Sequence, residues 1–187
     1  MAEPASPPAL QDVRIVGDGF VLRPWRGDDL DSLLLHANDE RVPRGLSSRF
    51  PHPYTRADGE AFLRGEVVNL ADPVLAIEID GQACGGIGAH PGRGERSHGA
   101  ELGYWLGQRH WGRGLMSRIV AAYVPWVMQS LNLTRLQASV LDSNPASARV
   151  LLKNDFQPEG ILRAAVRKAD GLHDLRIFSR LLRNEPA

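Results

Sequence analysis

Cysteine is almost absent from this chain: among 187 residues there is one, Cys84. An internal disulfide needs two cysteines and a cysteine-built zinc site needs more, so both are excluded and a reducing compartment fits best. An excess of charge of one sign is lacking as well, since 22 Lys and Arg residues balance 22 Asp and Glu residues. That balance excludes the global field of a nucleic-acid binder or of a protein with a polyanionic partner, so any anion site has to be local. Lysine itself is scarce. Lys153 and Lys168 are the only two among the 22 basic residues, which leaves the forked, permanently charged guanidinium as the main cation. No apolar run is long enough to cross a bilayer, and the opening MAEPASPPALQD lacks the basic start and apolar core of a leader. The expectation is a soluble cytoplasmic protein without membrane association. The six histidines show neither HxxxH nor HExxH spacing, so no metal site is expected.

With 43% apolar residues, the chain can bury one substantial core. Residues 1–12, rich in Pro and Ala, read as a disordered tail, and residues 13–187 as one domain. GFVLRPW (19–25) alternates as a strand, and LDSLLLHAND suits a short helix. Three prolines make 40–55 a loop, after which Thr55 is placed to cap the helix RADGEAFLRGEVVNL. PVLAIEID and QACGGIGAH flank Asp80-Gly81, a hairpin signal, and HGAELGYWL continues them as an antiparallel meander. A helix from about Gly112 to Ser130 follows. Then come the strand TRLQASVLD, a helix in SNPASARVLLKND opened by Asn144-Pro145, and two strands joined around Asp170-Gly171. The order βααβββαβαββ predicts a mixed α+β (α/β) fold of about seven strands and four helices.

Between the third strand of the meander and the long helix lies QRHWGRGL, with two glycines and two arginines. A helix N-terminus offers unpaired N–H groups and the positive end of the helix dipole, and glycine lets an anion approach that backbone closely. Phosphate is the candidate ligand, and an ordinary strand-to-helix turn is the alternative.

Four stretches together resemble one family: LRPWRGDDLDSL, AELGYWLGQRHWGRGL, SNPASARVLLKNDFQPEGILR and DGLHDLRIFSRL. With RHWGRG matching an RxxGxG pyrophosphate loop after the fourth strand, the chain resembles the GNAT superfamily of acetyl-CoA-dependent N-acetyltransferases. Within that superfamily it is similar to the RimJ/RimL-like branch of ribosomal-protein N-terminal acetyltransferases. The resemblance runs from Phe20 to Leu182 and implies a sheet splayed between its fourth and fifth strands. It also implies acetyl-CoA as cosubstrate and no metal. The backbone of Arg109, His110, Trp111, Gly112, Arg113 and Gly114, leading into Leu115, would wrap the pyrophosphate. Tyr104, Trp105 and Leu106 at the splayed strand end, with Asn144 opposite, would meet the pantetheine arm. One departure is Asn154-Asp155-Phe156, where the family commonly has a glycine before the aromatic.

Acetyl transfer to an amine needs a proton acceptor, an oxyanion donor and a proton for the leaving thiolate. By the family's geometry Glu101 is the candidate base, with a surface or salt-bridging strand residue as the alternative. The backbone N–H near Leu106 is the oxyanion donor. Many relatives place a tyrosine on the later helix, at a position occupied here by Leu151. The RimL-like pattern instead points to Ser147, whose alternative role is capping or packing. Cys84, inside ACGGIG, reads as a small core residue and not as a nucleophile. Tyr54 and the hairpin near His173 resemble segments lining the acceptor pocket. The preferred acceptor is a protein N-terminus. A small-molecule amine such as an amino acid, a polyamine or an aminoglycoside is the rival, and a non-catalytic CoA-binding regulatory module the second. Related proteins are monomers or homodimers.

Overall fold

A computed structural model describes residues 10–47 and 50–182. Residues 1–9 of the expected tail lie outside that range. Leu10–Asp12, its last three residues, form a 3-10 turn, with Leu10 packed on the core, so ordered structure begins ahead of Val13.

Apolar alternation and turn chemistry produce eight strands and four helices. The strands are β1 (Ile15–Gly17), β2 (Phe20–Pro24), β3 (Val74–Ile79), β4 (Gln82–Pro91), β5 (Gly99–Leu106), β6 (Arg135–Leu141), β7 (Gln157–Lys168) and β8 (Gly171–Leu181). The helices are α1 (Leu30–Ala37), α2 (Arg56–Leu63), α3 (Leu115–Ser130) and α4 (Pro145–Leu152). The strand beyond the expected seven is β1, three residues that turn back onto β2 through Asp18-Gly19. It is too short for alternation to reveal it.

Spatial order in the sheet is β1-β2-β3-β4-β5-β6-β8-β7. Strands β3 to β5 form the expected meander, β2 extends it by pairing antiparallel with β3, and the β3–β4 turn has Asp80 and Gly81 both at positive φ, 49° and 79°, the geometry that Asp-Gly favours. The single parallel pairing, β5 with β6, covers only Gly99↔Arg135, Ala100↔Leu136 and Glu101↔Gln137. Residues 102–106 and 138–141 then diverge, which opens the expected gap in the sheet.

Because successive side chains of a strand point to opposite faces, β5 feeds two cores. Leu102, Tyr104 and Leu106 pack with Ile119, Val120 and Tyr123 of α3, whereas Trp105 packs with Leu33 of α1 and Phe62 of α2. Local chemistry sets the helix ends. Thr55 Oγ1 accepts from the Asp58 N–H at 3.3 Å and the Asp58 carboxylate accepts from the Thr55 N–H at 2.8 Å, a reciprocal cap. Hydrogen bonds from Thr55 hold the Asp58 carboxyl below its usual range. Helix α2 stops short of the expected NL end because Gly65 takes φ 77°. Likewise α3 begins at Leu115 and not at Gly112, since Gly112 and Gly114 sit at φ 76° and 66°. Among the described residues no helix is long and apolar enough to cross a membrane.

Asp155, where the resembled family has glycine, is at φ 62° and exposed. The left-handed conformation costs an L-residue about 1 kcal/mol that glycine does not incur. Asp155→Gly should therefore raise stability by about 0.5–1 kcal/mol in chemical denaturation, without altering ligand affinity.

Candidate functional site

Where β5 and β6 part, two adjoining cavities open. One, of about 890 Å³, lies against the start of α3 and is bordered by Trp111, Gly112, Gly114 and Leu115. The other, of about 770 Å³, is walled by Trp25, Phe50, Tyr54, Phe62 and Trp105. They meet at Gly45, Leu46, Tyr104, Trp105, Asn144 and Ser147, which border both.

The first cavity is suited to an anion. With Gly112 and Gly114 left-handed and the backbone turning tightly before α3, the N–H groups of this turn form a concave nest at the positive end of a 16-residue helix. A Cβ built on Gly112 would meet nothing within 4 Å, so the requirement for glycine there is conformational, not steric. Trp111 donates its indole N–H to the Leu106 carbonyl at 2.7 Å, which ties the turn to the end of β5 and occupies that carbonyl. The arginine side chains of the motif do not contribute to this lining. Arg109 and Arg113 are exposed and do not border the cavity.

The cations that do border the cavity come from elsewhere: Arg41, Arg44, Arg149 and Lys168. Lys168 donates to the carbonyls of Pro43, Arg44 and Leu46 at 2.9, 3.1 and 2.7 Å, fastening the 40–47 loop to the β7–β8 hairpin. Burial lowers its pKa. Nothing in the local sequence signals this contact, because its partners lie more than a hundred positions away. His173 also borders this cavity, apart from Tyr54, which lines the second; the sequence had grouped the two. Hydrogen bonds to Asp170 at 2.8 Å and Asp142 at 3.2 Å raise the His173 pKa.

At the junction, Asn144 caps α4 by accepting from the Ser147 N–H at 3.1 Å and donates its amide to the Gly45 carbonyl at 3.3 Å. The Ser147 hydroxyl lies 2.9 Å from the Tyr104 hydroxyl. Burial pushes the Tyr104 phenol up to about 12, with Ser147 offsetting part of that effect, so it is neutral and able to donate at neutral pH. Leu151 is wholly buried and turned into the core. Hence α4 presents no hydroxyl from that position; the phenol near Ser147 comes from β5. Glu101 borders the second cavity only. It sits at the last paired position before the splay, exposed, and accepts from Ser139 Oγ of β6 at 3.0 Å. Ser139 was not singled out in the sequence, since only the β5–β6 pairing brings it to Glu101.

The fold as a whole is similar to that of solved acetyltransferases. One is RimL, the ribosomal L7/L12 alpha-N-protein acetyltransferase in complex with coenzyme A, similar with a TM-score of 0.79 at 19% identity over 91% of this chain and 98% of that one. The chain belongs to the GNAT acetyltransferases: the family model described as acetyltransferase (GNAT) domain matches residues 20–157. Among curated relatives, N-acetyltransferase p20 of Bacillus licheniformis is 40% identical over 84 residues, 45% of this chain and 47% of that protein. The ribosomal-protein-serine acetyltransferase of Escherichia coli is 35% identical over 83 residues, 44% of this chain and 46% of that protein. The matches thus span about half the length of these relatives.

Proposed function

We propose that the protein transfers the acetyl group of acetyl-CoA to a primary amine, the α-amino group of a protein N-terminus, by direct attack in a ternary complex. The observation that carries this reading is the meeting of an anion-binding cavity and an aromatic cavity at Tyr104, Asn144 and Ser147, with Glu101 on the far side. The left-handed turn at Gly112 and Gly114, at the start of α3, fits a pyrophosphate, and the cavity it borders is lined elsewhere by cations. Residues 104–106 lie along the splay, where an extended arm can pair with the strand end.

In the second cavity Glu101 takes a proton from the incoming ammonium, directly or through one water, while the Ser139 hydroxyl orients its carboxylate. The amine nitrogen then bonds to the acetyl carbon and gives up its second proton to solvent, and the carbon–sulfur bond breaks with its electron pair leaving on sulfur. The Leu106 N–H is the proposed donor to the oxyanion. Ser147, hydrogen-bonded to Tyr104, donates to the departing thiolate, which acquires its proton there or from solvent.

A protein acceptor is supported by the resemblance to enzymes named for ribosomal proteins and by the walls of the second cavity. These are mainly aromatic and apolar, with Asp58 and Glu101 as their carboxylates. A polyamine or aminoglycoside would call for a richer acidic lining. The test pairs binding with turnover. At a hundredfold excess over its dissociation constant, acetyl-CoA should stabilise the parent by about 2.7 kcal/mol, and Gly112→Val should abolish that shift while still folding. Mass spectrometry of peptides beginning with Ser or Ala should show acetylation at the α-amine and none on internally placed lysines. Activity confined to free small amines would replace the acceptor, and a Gly112→Val protein that binds acetyl-CoA normally would remove the loop assignment.

A further inference from the structure

Beside the proposed pyrophosphate turn, three side chains with metal-binding atoms converge from three separate elements, and one of them, His110, also borders the first cavity. His36 comes from α1, Cys84 from β4, and His110 from the 3-10 turn Gln108–His110 that leads into Gly112. One ligand atom from each lies within 4.8 Å of the other two. None of this is visible in sequence spacing, which is why the motif search gave no metal site.

His36 is 5% exposed, and its Nε2 makes no hydrogen bond of normal geometry, although the Gln82 side chain lies close enough to act on the ring. A buried ring nitrogen without a well-formed hydrogen bond is costly and calls for an explanation. The ring is held by close packing: a Cβ on Gly107 would lie 2.6 Å from His36 Nδ1, so only glycine allows α1 to bring the imidazole so near the chain. The His110 ring stacks against it at 5.4 Å between centroids. The Cys84 thiol donates to the Gln82 carbonyl at 3.3 Å and, in the absence of an ion, burial holds its pKa up at about 11. Asp80, on the β3–β4 turn, is close enough for its charge to act on both Cys84 and His110.

We propose that His36, Cys84 and His110 bind a zinc-class divalent ion, with a water completing a tetrahedral set. Zinc takes sulfur at about 2.3 Å and imidazole nitrogen at about 2.0–2.1 Å, so bound ligand atoms stand roughly 3.3–3.6 Å apart. Closing from 4.8 Å to that spacing is a side-chain adjustment of about an ångström. A ligand set of two imidazoles and a thiolate selects zinc or cobalt over magnesium or calcium. The thiol proton is released to solvent on binding, and the ion replaces the hydrogen bond to Gln82. Because His110 begins the turn that carries Gly112, the ion ties the pyrophosphate loop to α1 and β4. The site is independent of the proposed acetyl transfer and would exist in an inactive chain.

The test uses the full chain, freed of metal by chelation and titrated with Co²⁺. The expected result is saturation at one equivalent, with a thiolate-to-cobalt charge-transfer band in the near ultraviolet and the intense visible bands of tetrahedral cobalt. Zn²⁺ should erase these bands, and Mg²⁺ should not. Cys84→Ala should remove the charge-transfer band, and His36→Gln or His110→Gln should weaken binding by more than about 100-fold, beyond what outer-shell changes cost. His173→Gln, which alters the partly buried His173 and its partners Asp142 and Asp170, should change nothing in the spectrum. Because the unsubstituted protein already decides the matter, a variant that fails to fold does not protect the proposal. Absence of saturable uptake, or weak octahedral bands without charge transfer, overturns it.

Discussion

Glu101→Gln should lower the turnover of an amine acceptor by about 10²- to 10⁴-fold at neutral pH while leaving acetyl-CoA affinity close to that of the parent. Glutamine keeps the shape, and its carbonyl can still accept from Ser139 Oγ, which now lies 3.0 Å from the carboxylate. It cannot take up a proton. The loss should shrink as pH rises past about 8, the ordinary range of an α-amino group, because more of the acceptor then arrives already neutral. Ser147→Ala and Tyr104→Phe act on the other proton, the one that reaches sulfur. A thiolate is a good leaving group by itself, so these two should cost less and depend less on pH. Steady-state rates from about pH 6 to pH 10 separate the cases. A Glu101→Gln protein with parental rates throughout would leave the proton to water. One that also loses acetyl-CoA would make Glu101 a support for the strand at its last paired position.

The largest expected effect on stability lies in a buried ion pair that borders neither cavity. Arg23 of β2 is 3% exposed and grips Asp29 with two hydrogen bonds, Nη1 to Oδ2 at 2.8 Å and Nη2 to Oδ1 at 2.7 Å. Its Nε donates to Glu78 of β3. The same Asp29 carboxylate accepts from the Arg26 N–H at 2.8 Å, so one acidic side chain both neutralises the buried guanidinium and caps the turn that starts α1. Asp29→Ala strands the charge and loses the cap, and should cost about 3–5 kcal/mol in denaturant unfolding. Asp29→Asn keeps an acceptor for Arg26 and should cost less. A loss below about 1 kcal/mol for Asp29→Ala would mean that Glu78 alone satisfies Arg23.

Features that depend on near neighbours could be read in the sequence. The Asp80-Gly81 hairpin, the Thr55 and Asn144 caps and the glycine turn before α3 each follow from the φ preference or hydrogen-bonding reach of residues a few positions apart. Apolar alternation likewise identified seven of the eight strands, and the stretches carrying RHWGRG and NPAS pointed to a family whose model matches residues 20–157. Boundaries were missed where one residue's backbone overrides periodicity, as at Gly65 and Gly114. Everything that required two distant segments to meet was decided by the tertiary structure. The β5–β6 pairing ends after Glu101↔Gln137, and this sets Ser139 beside Glu101 and opens the cavities. The alternation of β5 turns Tyr104 toward Ser147 and Trp105 toward the aromatic wall. Packing of α1 over Gly107 carries His36 to Cys84 and His110. Periodicity and capping act over one or two turns of chain, whereas these contacts arise only when sheet pairing and core burial choose which distant segments lie together.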